Sequence, residues 1–190
     1  MTVRHALLAI LDQGPCYGYQ LRAEYSRRTG AAVNVGQVYT TLERLERDGF
    51  VGTRGADDRG HVYWGITDAG RALAAQWLAE PGESSGRHEL ARKIALVATL
   101  PGVDAGGVIA IQRLAAARRL DHLETEKGDA DVTLAIVRAA ESAQARAEIE
   151  WLDAAAAAVA GDPAARTFPL SAERPRRGRP PSAGVTAAGE

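Results

Sequence analysis

A chain of 190 residues, 46% hydrophobic and 25% charged, has the composition of one ordinary globular domain or of a small domain with an extension. Its net charge of −1 excludes bulk electrostatic attraction to nucleic acid, and its one cysteine, Cys16, excludes an intrachain disulfide framework and a thiolate metal cluster and fits a reducing cytoplasm. The apolar run Ala6–Leu11 is too short for a secretory segment, and no stretch reaches the roughly 18 apolar residues of a membrane span. Aromatics are sparse at 5% and alanine is abundant, which favours helix over sheet. The charge is uneven. Residues 1–80 hold nine Arg against nine Asp and Glu, residues 81–160 nine basic against twelve acidic, and residues 161–190 five Arg against three acidic. All the basic residues but Lys93 and Lys127 are Arg, a skew that suits phosphate and guanine recognition but that a GC-rich genome also produces.

Val3, Ala6, Leu7, Ile10 and Leu11 recur at helical spacing and predict a first amphipathic helix, broken at Gly14-Pro15. Tyr17, Leu21 and Tyr25, four apart, predict a second helix from Tyr17 to Thr29 that stops at Gly30. Gly18 at its start allows close approach of a neighbouring element. A third helix spans 36–48. Val38, Leu42 and Leu45 form its apolar stripe, and Gln37, Thr40, Thr41 and Arg44 form a polar stripe on the other side. Gly49 ends it. Three short helices, the third with an exposed polar stripe, follow the helix-turn-helix plan. Val51–Arg54 and His61–Ile66 then read as a two-stranded hairpin around a Gly- and Asp-rich turn, the wing of a winged helix. Thr67 is a good N-cap for a fourth helix reaching Glu80, with Leu73, Trp77 and Leu78 on its buried side.

Residues 81–86 have the composition of a hinge, and three helical patterns follow. His88–Leu100 carries Leu90, Ile94 and Val97. Asp104–Lys127 carries Val108, Ile111, Leu114, Leu120 and Leu123. Asp131–Ala160 carries Val132, Ile136, Ala140, Ala143, Ala147, Trp151, Ala154 and Ala158. A helix of about 45 Å with a stripe of small residues needs a partner helix. A second copy of the chain supplies one; a plain three-helix bundle is the alternative. From 161 to 190 the pattern dissolves into an Arg- and Pro-rich tail expected to be disordered. Its Arg177-Gly178-Arg179-Pro180 resembles an AT-hook, an Arg-Gly-Arg element for the narrow minor groove; a solvated tail is the other reading.

The segments ALLAIL, GPCYGYQL, VGQVYTTLERLERDGFV and HVYWGITDAGRAL, in that order over about residues 5–73, resemble the PadR family of bacterial transcriptional regulators. RHELARKIALVATLPG, at 87–102, is similar to the opening of that family's C-terminal helical region. The resemblance implies a mainly helical protein: a winged helix-turn-helix DNA-binding domain over 1–80, then a helical dimerisation and possible ligand-sensing region over 87–160. It further implies a homodimer on double-stranded DNA, usually acting as a repressor, and in some relatives release of DNA by a phenolic acid or hydrophobic drug. Gly36, Val38, Tyr39, Leu42, Leu45, Glu46 and Gly49 match the recognition-helix signature. Tyr39, at the edge of the polar stripe, can give its hydroxyl to a phosphate. Tyr17-Gly18-Tyr19 matches the aromatic-Gly-aromatic start of the helix that crosses the DNA backbone, which adds Tyr19 to the candidates. Tyr63, Thr67 and Gly70 match the join from wing to fourth helix. The tail after 161 is not part of the family pattern.

Two copies of the 36–48 helix are therefore expected in successive major grooves, about 34 Å apart. Gln37 suits adenine and Arg44 guanine, while Thr40 and Thr41 suit a base, a thymine methyl or a phosphate. Arg54, Arg59 and His61 on the wing suit phosphates or the minor groove; as alternatives, the two Arg are solvated hairpin charges and His61 is structural. Asp57 and Asp58, at the wing tip, are expected to repel phosphate. Trp151 is a candidate for an aromatic effector pocket at the dimer centre, against packing on a partner helix. A winged helix used for protein interaction without DNA is the alternative function. The sequence holds no nucleophile elbow, phosphate-binding loop or metal-spaced cluster, and its four histidines are scattered singly, so no enzyme, cofactor or metal is expected.

Overall fold

The computed structural model describes residues 3–82, 87–125, 131–161 and 168–171. Much of the 81–86 hinge and the Arg177–Pro180 element lie outside the described residues. The order is α1 (Val3–Leu11), β1 (Cys16–Tyr17), α2 (Gly18–Thr29), α3 (Val35–Arg47), β2 (Val51–Ala56), β3 (Val62–Ile66), α4 (Asp68–Ala79), α5 (Arg87–Ala98), α6 (Ala105–Thr125) and α7 (Val132–Gly161). It is a mainly helical winged helix-turn-helix with a helical C-terminal region.

The first helix is buried nearly all round rather than along one stripe. Ala6 to Leu11 are each at most 2% exposed, because α2, α3, α4 and β3 all pack on α1. A helix apolar on every face belongs at the centre of a core.

The sheet has three strands, not two, in the order β1-β3-β2. After the Gly14-Pro15 break the chain runs extended for two residues and pairs Cys16 with Trp64 and Tyr17 with Tyr63. Two residues carry no readable alternation, so this strand has no local signature. It does what a lone hairpin cannot: it fixes the wing to the start of α2. The hairpin itself is irregular between Thr53 and Ala56, where Gly55 takes a positive φ of 101°.

Thr67 caps α4 by accepting from the Gly70 amide, and its hydroxyl donates to the Gly49 carbonyl. Gly70 is required there. A Cβ would stand 2.1 Å from the Phe50 carbonyl oxygen. On α4 the fully buried positions are Gly70 and Ala74, with Leu73, Trp77 and Leu78 half-buried around them.

Two apolar cores meet along α5. Leu96 and Leu100 enter the winged-helix core, while Leu90, Ile94 and Val97 join Val108, Ile109 and Leu152 in a second one. Lys93, also buried, donates to the carbonyls of Trp77 and Glu80 at the end of α4 and lies over the Trp77 ring. A cation there suits the negative end of the helix dipole.

The helices α6 and α7 run antiparallel, cross-linked by Arg113–Asp153, Arg119–Glu148 and Arg146–Glu124. Their buried faces differ from the expected stripes. On α6 the contact face is Val108, Ile109, Gln112 and Ala116, while Ile111 and Leu114 are exposed. On α7 it is Ala145 and Leu152, while Val132 and Ile136 are 75% and 65% exposed. Ala116 and Ala145 are 0% exposed, so small residues sit on the buried faces of the two helices while larger ones stand on the outer faces.

Candidate nucleic-acid interface

Asn34 starts α3 one residue earlier than the spacing suggests: its side chain accepts from the Gly36 amide at 2.8 Å. Val38, Leu42 and Leu45 are fully buried in the winged-helix core. At the other end the Phe50 amide reaches back to the Leu45 carbonyl and Gly49 takes φ 79°, a closed C-terminal motif that stops the helix.

Three buried positions on one side force the remaining residues outward. Gln37, Tyr39, Thr40 and Arg44 are exposed, and Thr41 is half-buried. The protein's own backbone does not cover this surface. Thr41 donates its hydroxyl to the Gln37 carbonyl, which fixes its rotamer and keeps its oxygen available only as an acceptor. Gln37 and Arg44 make no side-chain hydrogen bond or ion pair among the described residues. Tyr39 leans on α2, where its ring meets Tyr19 edge-on at 6.4 Å and lies against Gly18. The two aromatic candidates thus form one contact between α2 and α3.

The structure adds two residues that the reading of α3 alone omitted. A shallow groove of roughly 320 Å³ is lined by Val3, Arg4, Gln37, Thr41, Arg44, Arg47 and Asp48. Arg47 extends the polar stripe by the same three-residue step that separates Thr41 from Arg44, so its position was readable. Arg4 comes from α1 and no local pattern points to it. It lies over the Phe50 ring and reaches toward Asp48, which also pairs with Arg47. With three guanidiniums against the one carboxylate of Asp48, the groove lining is cationic although residues 1–80 carry no net charge.

The wing places its candidates less evenly. Arg54 folds back along the sheet, its stem against Gly65, and donates to the Ile66 carbonyl. His61 stacks on Tyr17 at 4.7 Å and its Nδ1 lies 3.0 Å from Asp57. Only the Arg59 guanidinium, exposed at the tip, has no partner among the described residues. Asp57 is turned into the turn rather than toward a phosphate: it accepts from the Arg59 and His61 amides. The His61 amide and then its ring hold the Asp57 carboxyl down to about 2. Asp58 is the exposed acid of the tip.

Trp151 is far along α7. It is half-buried against the second core of its own chain, with Ala155 and Val159 on the same side. It is not among the residues lining a cavity of roughly 400 Å³ beside the α5–α6 turn, formed by Ala98, Leu100, Gly102, Val103, Asp104, Ala105, Gly106 and Val159. Cys16 is buried, and that burial, with Glu24 near, pushes its thiol up to about 12. No helix among the described residues is long and apolar enough to cross a membrane.

Residues 7–76 match the model of the transcriptional regulator PadR-like family. The chain is similar to a probable transcriptional regulator of Mycobacterium tuberculosis, 31% identical over 86 residues, 43% of this chain and 46% of that protein. It therefore spans about half the length of the curated relative it matches. Among solved structures it is similar to Bacillus subtilis PadR in complex with operator DNA (19% identity, 82% of this chain, 98% of that chain, TM-score 0.39). It is also similar to a PadR-like regulator of Bacillus cereus (18% identity, 84% and 98%, TM-score 0.38). The exposed polar face of α3, the wing pinned to α2 and the match over residues 7–76 lead to one statement: the N-terminal domain of this chain is similar to the PadR-like family of transcriptional regulators.

Proposed function

We propose that the protein is a sequence-specific DNA-binding repressor that acts as a homodimer, with α3 in the major groove. The observation that carries this is the outward-facing set of exposed Gln37, Thr40 and Arg44 with half-buried Thr41 along the Arg4–Arg47 groove. Amide, hydroxyl and guanidinium groups supply the donors and acceptors that base edges require. Arg4 and Arg47, which sort with the backbone rather than with bases, suit phosphates flanking the site. On the wing, Arg59 is exposed and has no partner among the described residues, which supports a phosphate contact for it; Arg54 and His61 would have to leave contacts they already make.

The dimer reading rests on α6 and α7. Ile111, Leu114, Val132, Leu134, Ile136 and Val137 are 40% to 75% exposed in the single chain. Apolar surface of that kind is covered most simply by the same surface of a second copy. A small hydrophobic or phenolic effector would have the cavity beside the α5–α6 turn available, and Trp151 packs on the same second core.

The test is binding to duplexes from the regions flanking the gene, at several salt concentrations. Affinity should fall linearly on a log–log plot of salt, with a strong preference for one duplex. A winged helix used only against proteins would show no salt-dependent binding to any duplex, and that result would overturn the reading.

A further inference from the structure

Helix α2 carries a fully buried ion pair. The Arg28 Nε donates to Glu24 at 2.8 Å, and their side chains are 0% and 1% exposed. Two charges removed from water are tolerable only if every remaining donor and acceptor is satisfied. Two elements remote in sequence do this. One is the end of α5, where the Thr99 carbonyl and hydroxyl both accept from Arg28 Nη1. The other is Phe168–Ser171, which follows α7 in the chain and lies along the outside of α2.

The four residues are held as a docked peptide. The Phe168 carbonyl accepts from Arg28 and the Pro169 carbonyl from Arg27. The Ser171 amide donates to Glu24, and its carbonyl accepts from Gln20. The Phe168 ring lies under the Arg27 guanidinium at 3.9 Å and near that of Arg28 at 5.1 Å. Leu170 reaches Gly14 and packs on the winged-helix core. Backbone groups meet charged side chains, and two side chains two residues apart are held, Phe168 against guanidiniums and Leu170 against the apolar core, which is how an extended segment is recognised.

We propose that the outer face of α2 is a peptide-docking site whose occupant is the chain's own Phe168–Ser171 segment, and that its docking ties the C-terminal helical region to α2. Removing the segment leaves one Arg28 donor without its partner and takes the Ser171 amide from a Glu24 oxygen that then keeps only Arg27, so α2 loosens. Burial opposes ionisation of Glu24, but Arg27, the Ser171 amide and Arg28 together keep its carboxyl below the ordinary range.

Hydrogen exchange on the full chain tests this without reference to DNA. In the wild type the Ser171 amide, which donates to Glu24, should exchange well below its random-coil rate. Phe168→Ala with Leu170→Ala, and separately Ser171→Pro, which removes the donated amide, should each speed exchange in 18–30 and 96–100 about tenfold. Pro169→Ala keeps the carbonyl that Arg27 uses and should change those rates less than twofold. Random-coil exchange of the Ser171 amide in the wild type overturns the proposal. So does unchanged protection of α2 in both loosened variants, or a Pro169→Ala effect equal to theirs.

Discussion

The Tyr39 ring of α3 rests against the backbone of Gly18 at the start of α2, so closely that a Cβ at position 18 would lie 2.5 Å from Tyr39 Cζ and 2.8 Å from its hydroxyl oxygen. No side chain at 18 is compatible with this packing. The contact sets how far the exposed face of α3 stands from the helix before it, and so ties a glycine to the geometry of the candidate interface. Tyr39 is 37% exposed and can swing aside, so Gly18→Ala should cost about 0.5–1.5 kcal/mol, the order of an off-rotamer side chain, and should weaken operator binding as well. Combining it with Tyr39→Ala removes the clash. The double variant should be less destabilised than the sum of the singles, read from urea unfolding. Simple additivity would mean that the two residues do not touch.

Arg44 and Arg59 should differ in kind. Arg44→Ala should relax specificity at one base position by about 1–3 kcal/mol. Arg59→Ala should weaken all duplexes alike and lower the salt slope by about one. Salt-titrated anisotropy on matched and single-mismatch duplexes separates the two. Identical behaviour would refute the assignment.

The exposed apolar residues of α7 make the dimer testable. Ile136 is 65% exposed, so Ile136→Glu should leave the fold of one chain intact. It should convert a dimer to a monomer in sedimentation and reduce affinity for a two-half-site duplex far more than for one half-site. A wild type that sediments as a monomer at micromolar concentration would remove the basis for this.

Alkaline pH should stabilise the fold through Lys93. Burial pushes its ammonium down to about 8 from an ordinary 10.5, against a smaller opposing pull from Glu80. Between those values the unfolded chain holds a proton that the folded chain has released, so stability rises with pH across the window. The slope for this one group is at most about 1.4 kcal/mol per pH unit. Lys93→Met should flatten that rise. Urea midpoints at pH 7.5 and 9.5 for both proteins decide it; equal slopes would show that Lys93 keeps its proton.

The α3 stripe was legible because burial of Val38, Leu42 and Leu45 alone dictates which residues face out, and a 3.6-residue period reports that locally. Arg47 continued the same period and could have been included. Arg4 could not, because it arrives from α1 through the packing of two helices. On the wing, residue type pointed equally to Arg54, Arg59 and His61. The fold separates them by what else lies within reach: a carbonyl for Arg54, Asp57 and Tyr17 for His61, solvent for Arg59.

What residue order determined by itself is local: the four N-terminal helices, the hairpin, the Gly30 and Gly49 stops and the Thr67 cap. Each is a property of a few neighbouring residues and their backbone preferences. Tertiary structure alone decided that Cys16–Tyr17 joins the sheet and that Ala116 and Ala145 are buried while the larger Ile111, Leu114, Val132 and Ile136 stay exposed. It also decided that Arg28 is shared between α2, the end of α5 and Phe168. These depend on contacts between segments far apart in the chain, whose free energy leaves no periodic trace in either segment alone.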